Sequence, residues 1–125
     1  MFRECFDTVE KLDGFYDDGS FIQHNYISYL GEYGVEMMTP LTIISYSLDE
    51  SVFRLDEDMK NYQFNWIINS FLPSMYKGGI MDLVRGRSIS RDIRGDQSGK
   101  MITNAMCLMT EYLTDDKSLN YLKSI

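Results

Sequence analysis

His24 is the only histidine in the chain. It stands nine residues before Tyr33 in a glycine-punctuated run, Asp18-Gly-Ser-Phe-Ile-Gln-His24-Asn-Tyr-Ile-Ser-Tyr-Leu-Gly-Glu-Tyr33-Gly34. A second run, Met81-Asp-Leu-Val-Arg-Gly-Arg87-Ser-Ile-Ser-Arg91, holds three of the six arginines, and Arg94 follows closely. An imidazole can accept a proton and a phenol can donate one. A guanidinium fork grips a carboxylate through paired N–H groups. A proton acceptor, a proton donor and a cationic anchor are the parts needed to eliminate across a glycosidic bond next to a carboxylate. Neither His24 nor Tyr33 means much alone, because lone histidines and tyrosines are most often structural. Their pairing, with arginines downstream, carries the argument.

The arginine cluster has two readings. It is a local anion site in an otherwise acidic chain, or a solvated loop paired with Asp82, Asp92 and Asp96. The net charge of −7 gives no global basic field and argues against a nucleic-acid partner. Cys5 and Cys107 have no metal-ligand spacing and read as buried or incidental thiols rather than a disulfide. With one histidine, a zinc site is not expected. No apolar run reaches the ~18 residues of a membrane span, and Met1-Phe-Arg-Glu-Cys-Phe-Asp is not a signal peptide.

Elements must position these groups. At 125 residues the chain suits one domain with one modest core. Residues 1–12 offer one or two helical turns. Gly14 to Ile22 reads as an irregular, turn-rich loop. A helical pattern begins at about Tyr33 and ends before Asp49, with Thr39-Pro40 as cap and first helical position and Leu41, Ile44 and Leu48 on one face. Phe64, Ile67, Ile68, Phe71, Leu72 and Met75 follow helical spacing. Asp56 or Asp58 caps that helix, Pro73 shortens it and Gly78-Gly79 ends it. Ile80 to Gly99 is a long connection without helical period, a length that suggests function. Met101, Ala105, Leu108, Met109 and Tyr112 form another face, and Thr114-Asp-Asp opens a last short helix. The fold class is therefore all-α with long loops and little or no strand. Trp66, on a helix face, reads as core rather than a sugar platform.

Asp13-Gly-Phe-Tyr-Asp-Asp-Gly-Ser-Phe-Ile-Gln-His24, Tyr29-Leu-Gly-Glu-Tyr33-Gly34 and the Arg-Gly-Arg-Ser-Ile-Ser-Arg run, with Trp66-Ile67 and Phe71-Leu72-Pro73, resemble polysaccharide lyase family 8. Its members include hyaluronate, chondroitin and xanthan lyases. The resemblance runs from about residue 13 to the C-terminus. It implies the C-terminal part of an α/α-toroid catalytic domain, with N-terminal helices and a β-sandwich lying outside this chain. It also implies an acidic polysaccharide substrate and secretion or surface attachment of the parent enzyme; the residues in view require no cofactor.

By that resemblance His24 and Tyr33 match the catalytic histidine and tyrosine, and Arg87 and Arg91 the active-site arginines. Tyr33 is the expected proton donor, and base duty falls to Tyr33 or His24. A tyrosine base needs nearby cations to favour its phenolate. Asn25, Arg85 and Tyr29 are candidates for binding substrate. Each has a structural reading too: loop formation for Asn25, a pair with Asp82 for Arg85, packing for Tyr29. The family's catalytic asparagine lies upstream of its histidine, and none of the twenty-three residues before His24 matches it. Loss of such a neutralising group costs of order 10²–10³ in rate, so the 125 residues alone are expected to be nearly inactive. Helix faces meant for further helices would favour self-association. The competing reading is a non-catalytic carbohydrate-binding or interaction module that keeps the anion site.

Overall fold

The computed structural model describes residues 6–92 and 95–125. The chain is mostly helical, in line with the sequence reading. Phe6 is in 3-10 conformation and residues 7–12 are not helical, while the rest of the helical turn expected over residues 1–12 lies outside the described residues.

The segment read as an irregular loop is an antiparallel meander of three very short strands, β1 (Gly14–Phe15), β2 (Phe21–Gln23) and β3 (Ile27–Ser28). Gly14 pairs with Ile22, and Gln23 with Ile27. Strands of two or three residues carry too little alternation to be recognised in sequence. Phe15 and Phe21 hold the meander down. Phe15 stacks on Trp66 at 4.5 Å, and Phe6 stacks on the same indole at 5.6 Å. Trp66 is thus core, as expected, and only 5% exposed.

A π-helical turn, Leu30–Gly34, leads directly into α1 (Val35–Leu48). Pro40 lies inside α1 and not at its start, correcting the expected cap. The missing N–H costs one helical bond, tolerable here because Pro40 is on the exposed side. The buried face also differs from expectation. It is Val35, Met38, Thr42 and Ser45, whereas Ile44 is half exposed. The two hydroxyls can be buried because they donate back to the helix: Thr42 Oγ1 to the Thr39 carbonyl at 2.8 Å, Ser45 Oγ to that of Leu41 at 2.7 Å.

In α2 (Glu57–Trp66), Asp56 caps the start by accepting from the Met59 N–H at 2.9 Å. The helical path continues as a π turn, Ile67–Phe71, and a 3-10 turn, Leu72–Ser74, that contains Pro73. Gly78-Gly79 does not end a helix. It belongs to a hairpin between β4 (Met75–Tyr76) and β5 (Gly79–Ile80), whose two-residue turn, Lys77-Gly78, has positive φ at both positions.

The connection after Ile80 is shorter than expected, with 3-10 turns at Asp82–Val84 and Gly86–Ser90 before α3 (Gly95–Met109) begins. The first turn of α3 lacked an apolar signal because close approach to the hairpin requires glycine. A Cβ at Gly95 would lie 2.3 Å from the Ile80 carbonyl oxygen, and one at Gly99 2.0 Å from that of Gly78. The closing helix α4 (Asp116–Ser124) is capped by Asp115, which accepts from the Ser118 N–H at 2.8 Å. Thr114, read as the capping hydroxyl, instead donates to Glu57 at 2.6 Å.

α1 packs on α3 around Met38, Ile67, Phe71, Ile102 and Met109, all fully buried. A polar chain crosses this core: Tyr112 Oη donates to Gln63, and Gln63 Nε2 donates to Ser45 Oγ at 2.8 Å. Burial pushes the Tyr112 phenol well above its ordinary range. Cys107 is a free, exposed thiol, and Cys5 lies outside the described residues. No described helix is long and apolar enough to cross a membrane.

Candidate active site

The meander and the π turn bring His24 and Tyr33 together. His24-Asn25-Tyr26 is the three-residue tip between β2 and β3. His24 and Asn25 both adopt left-handed backbone conformations, with φ of 55° and 73°. Such geometry is uncommon away from glycine and must be held by neighbours. Asp13 holds it. Its carboxylate accepts from the Asn25 N–H at 2.7 Å and from Gln23 Nε2 at 2.8 Å.

The result is a contact of 3.2 Å between His24 Nε2 and Tyr33 Oη. The tautomer of the imidazole decides which of the two donates. The π turn has a part in this. Tyr29 precedes it and Tyr33 lies within it, so both rings fall on one side: their centroids are 4.9 Å apart and perpendicular. His24 meets Tyr29 edge-on at 5.8 Å and Tyr33 at 5.3 Å. Three rings thus form one cluster, with Tyr29 fully buried beneath, and Tyr33 and His24 exposed above.

The arginine run reaches this cluster from the other side. Arg87 Nε donates to Tyr29 Oη at 3.3 Å. Burial works to raise the Tyr29 pKa, but hydrogen bonds from Arg87 and Ser88, with the Arg87 charge, outweigh it and hold the phenol below its ordinary value. Reciprocally, the hydrogen bond and charge of Tyr29 raise the Arg87 pKa, and Tyr33 adds to this from further away. Gly86 makes the approach possible: its φ is +50°, and a Cβ there would sit 2.7 Å from the Tyr29 ring.

Arg91 is tied to Glu32 by an ion pair of 2.5 Å. Arg85 is buried, and its guanidinium lies 2.6 Å from Asp82. The structural reading of Arg85, that it steadies the loop, describes its position. Tyr29 is buried packing that also touches Arg87, so it does not line an open cleft. Asn25 is exposed at the tip, and the contact that fixes it is made by its backbone. The structure therefore groups His24, Tyr33, Tyr29 and Arg87, places Arg91 beside them through Glu32, and sets Arg85 beneath the loop. Arg94 lies outside the described residues.

Two residues of the site escaped sequence reasoning, Asp13 and Glu32. Glu32 adjoins Tyr33, a signal that was available. Asp13 acts across the meander, which no local pattern reveals.

A cavity of about 680 Å³ lies elsewhere, between α2 and α4, lined by Phe64, Ile68 and Tyr121 among others. Its ionisable side chains are Asp115, which caps α4, Lys117 and Tyr121. Among the described residues, no three His, Cys, Asp or Glu are grouped to hold a metal ion.

Residues 2–125 match the family model described as polysaccharide lyase family 8, N-terminal alpha-helical domain. The chain is 38% identical over 104 residues to a hyaluronate lyase of Thermasporomyces composti, covering 82% of this chain and 13% of that protein. It is 38% identical over 86 residues to a xanthan lyase of Bacillus sp. strain GL1, covering 69% of this chain and 9% of the relative. The solved xanthan lyase of Paenibacillus superposes with a TM-score of 0.90 at 32% identity, over 98% of this chain and 12% of that one. A Streptomyces coelicolor chondroitin AC lyase in complex with chondroitin sulphate gives 0.87 at 25% identity, over 97% of this chain and 18% of its own. The chain thus spans a small part of the length of these relatives. The matching domain is the family's N-terminal helical one, and the match does not support the C-terminal placement that the resemblance implied.

Proposed function

We propose, for a chain that belongs to polysaccharide lyase family 8 by its N-terminal α-helical domain, that it carries the proton-transfer part of a lyase acting on acidic polysaccharides by β-elimination. The observation that carries the reading is the 3.2 Å contact between His24 and Tyr33, with the Arg87 guanidinium anchored one ring away on Tyr29.

The chemistry follows from the groups. The C5 proton of a uronate is weakly acidic because a carboxylate adjoins it. As that proton leaves, charge builds on the carboxylate, and a guanidinium facing it stabilises the enolate-like transition state. Arg87 fits this role, since it has no carboxylate partner among the described ion pairs. Tyr33, exposed and in contact with His24, donates its proton to the leaving glycosidic oxygen. Base duty falls to Tyr33 or His24.

Supporting substrates are those of the relatives: hyaluronan, chondroitin and xanthan. The parent enzyme acts outside the cell in this reading, since such polymers are extracellular. Activity of these 125 residues alone is low, because no residue here supplies the asparagine that the family places upstream. A purely binding module has no need of a phenol and imidazole in mutual contact, which favours the catalytic reading over the non-catalytic one.

The test is the ultraviolet absorbance of the unsaturated product, with the folded chain on each polymer and Tyr33→Phe as control. A slow rise that disappears in the variant is the expected result. A rise that persists in Tyr33→Phe, or a flat trace with no saccharide binding, overturns the reading.

A further inference from the structure

Arg87 and Arg91 belong to one motif and lie beside one ring cluster, yet their electrostatic situations differ. Arg87 meets a phenol oxygen. Arg91 meets a carboxylate, that of Glu32, at 2.5 Å. Glu32 is well placed to persist there. It directly precedes Tyr33 in the π turn, its N–H donates to the Tyr29 carbonyl at 3.3 Å, and its side chain is only 19% exposed. Its second oxygen, Oε2, is shut off from solvent and has no hydrogen-bond partner among the described residues. Among the described residues, Arg91 is the charged partner of this carboxylate.

We infer that Glu32 is a specificity-determining residue, occupying Arg91 as a substrate's acidic group otherwise would, so that the site takes a saccharide with one carboxylate per repeat and no neighbouring sulfate ester. The inference rests on the lyase reading of the same site. Arg87 then is the open receptor for the carboxylate. A sulfate brought toward Arg91 meets a cation already neutralised and a carboxylate of like charge, and specificity comes from that repulsion as much as from attraction to Arg87. Among the described ion pairs, Asp82 is engaged by Arg85, and Glu32 is the carboxylate on Arg91.

The experiment titrates the 125-residue chain with an unsulfated chondroitin tetrasaccharide and with its sulfated counterpart, following arginine Nε–H resonances. Glu32→Gln removes the charge with little change of shape, and Glu50→Gln removes the same charge at an exposed position after α1. The wild-type chain is expected to bind the unsulfated sugar more tightly, with Arg87 shifting and Arg91 unmoved. In Glu32→Gln the preference should shrink about fivefold, with Arg91 now responding, whereas Glu50→Gln should keep it. An unchanged preference in Glu32→Gln, or an equal change in Glu50→Gln, overturns this inference and leaves the lyase reading standing. Absence of binding to either sugar by the folded wild-type chain overturns both.

Discussion

Tyr29 and Tyr112 are both buried phenols with opposite electrostatics. Tyr112 donates to Gln63, and although Lys60 lies 6.0 Å from its ring, burial first and the Asp49 carboxylate after it push its ionisation up. Tyr29 is also penalised by burial, but Arg87 and Ser88 stabilise its phenolate more than burial penalises it. A spectrophotometric titration of single Tyr→Phe variants should therefore lose an early-ionising tyrosine in Tyr29→Phe and a late one in Tyr112→Phe. The sign of the stability effect follows. The Tyr29 pKa is lower folded than unfolded, so its contribution is present above the unfolded value of about 10 and disappears as pH falls through the folded value. Denaturation of Tyr29→Phe compared with the wild type across the alkaline range checks this. At Tyr33, removal of the hydroxyl takes away the proposed general acid. In an enzyme long enough to be active, Tyr33→Phe should lower kcat by about 10²–10⁴, with a smaller effect on KM.

Two short elements set the geometry of the site. The tip of the β2–β3 hairpin depends on Asp13, whose carboxylate spans to the Asn25 N–H and Gln23. Asp13→Ala should release the left-handed conformations at His24 and Asn25. Amide exchange at Asn25 should then quicken, while exchange in α1 and α3, which pack without it, stays slow. The hairpin of β4 and β5 rests on the start of α3, where Gly99 leaves no room for a methyl group against the Gly78 carbonyl. Gly99→Ala is expected to cost about 1–3 kcal/mol from overpacking, against the small gain alanine brings to a helix elsewhere. Thermal melts of the two proteins decide it.

At the scale of the whole molecule, the chain exposes 7886 Å², against roughly 6,900 Å² expected for a folded monomer of its 14.6 kDa. The surplus is apolar in part. Ile43 and Ile44 on α1, Val52 and Phe53 after it, and the hollow between α2 and α4 all face outward. Such surface marks places where further protein packs. In isolation the chain should self-associate with rising concentration, and Ile44→Glu should weaken this without changing the helical signal. Sedimentation velocity over a concentration series measures both, and a monomer at every concentration would oppose the idea.

The candidate residues could be proposed from sequence because their types and spacing are local: a histidine and tyrosine nine positions apart, and arginines repeated on one short run. The helices with a strong apolar period were legible too, and Trp66 declared itself as core by its place on such a face. Pro40 misled because an internal proline on an exposed helix side looks, in sequence, like a first helical position. The start of α3 was hidden because Gly95 and Gly99 serve a close contact with distant backbone rather than the helix itself. Only the fold decided that Glu32 pairs with Arg91, that Asp13 anchors the histidine tip, and that Tyr29 lies beneath the pair with Arg87 on its hydroxyl. These contacts join residues 10 to 59 positions apart, and no period or motif encodes a meeting that packing alone brings about.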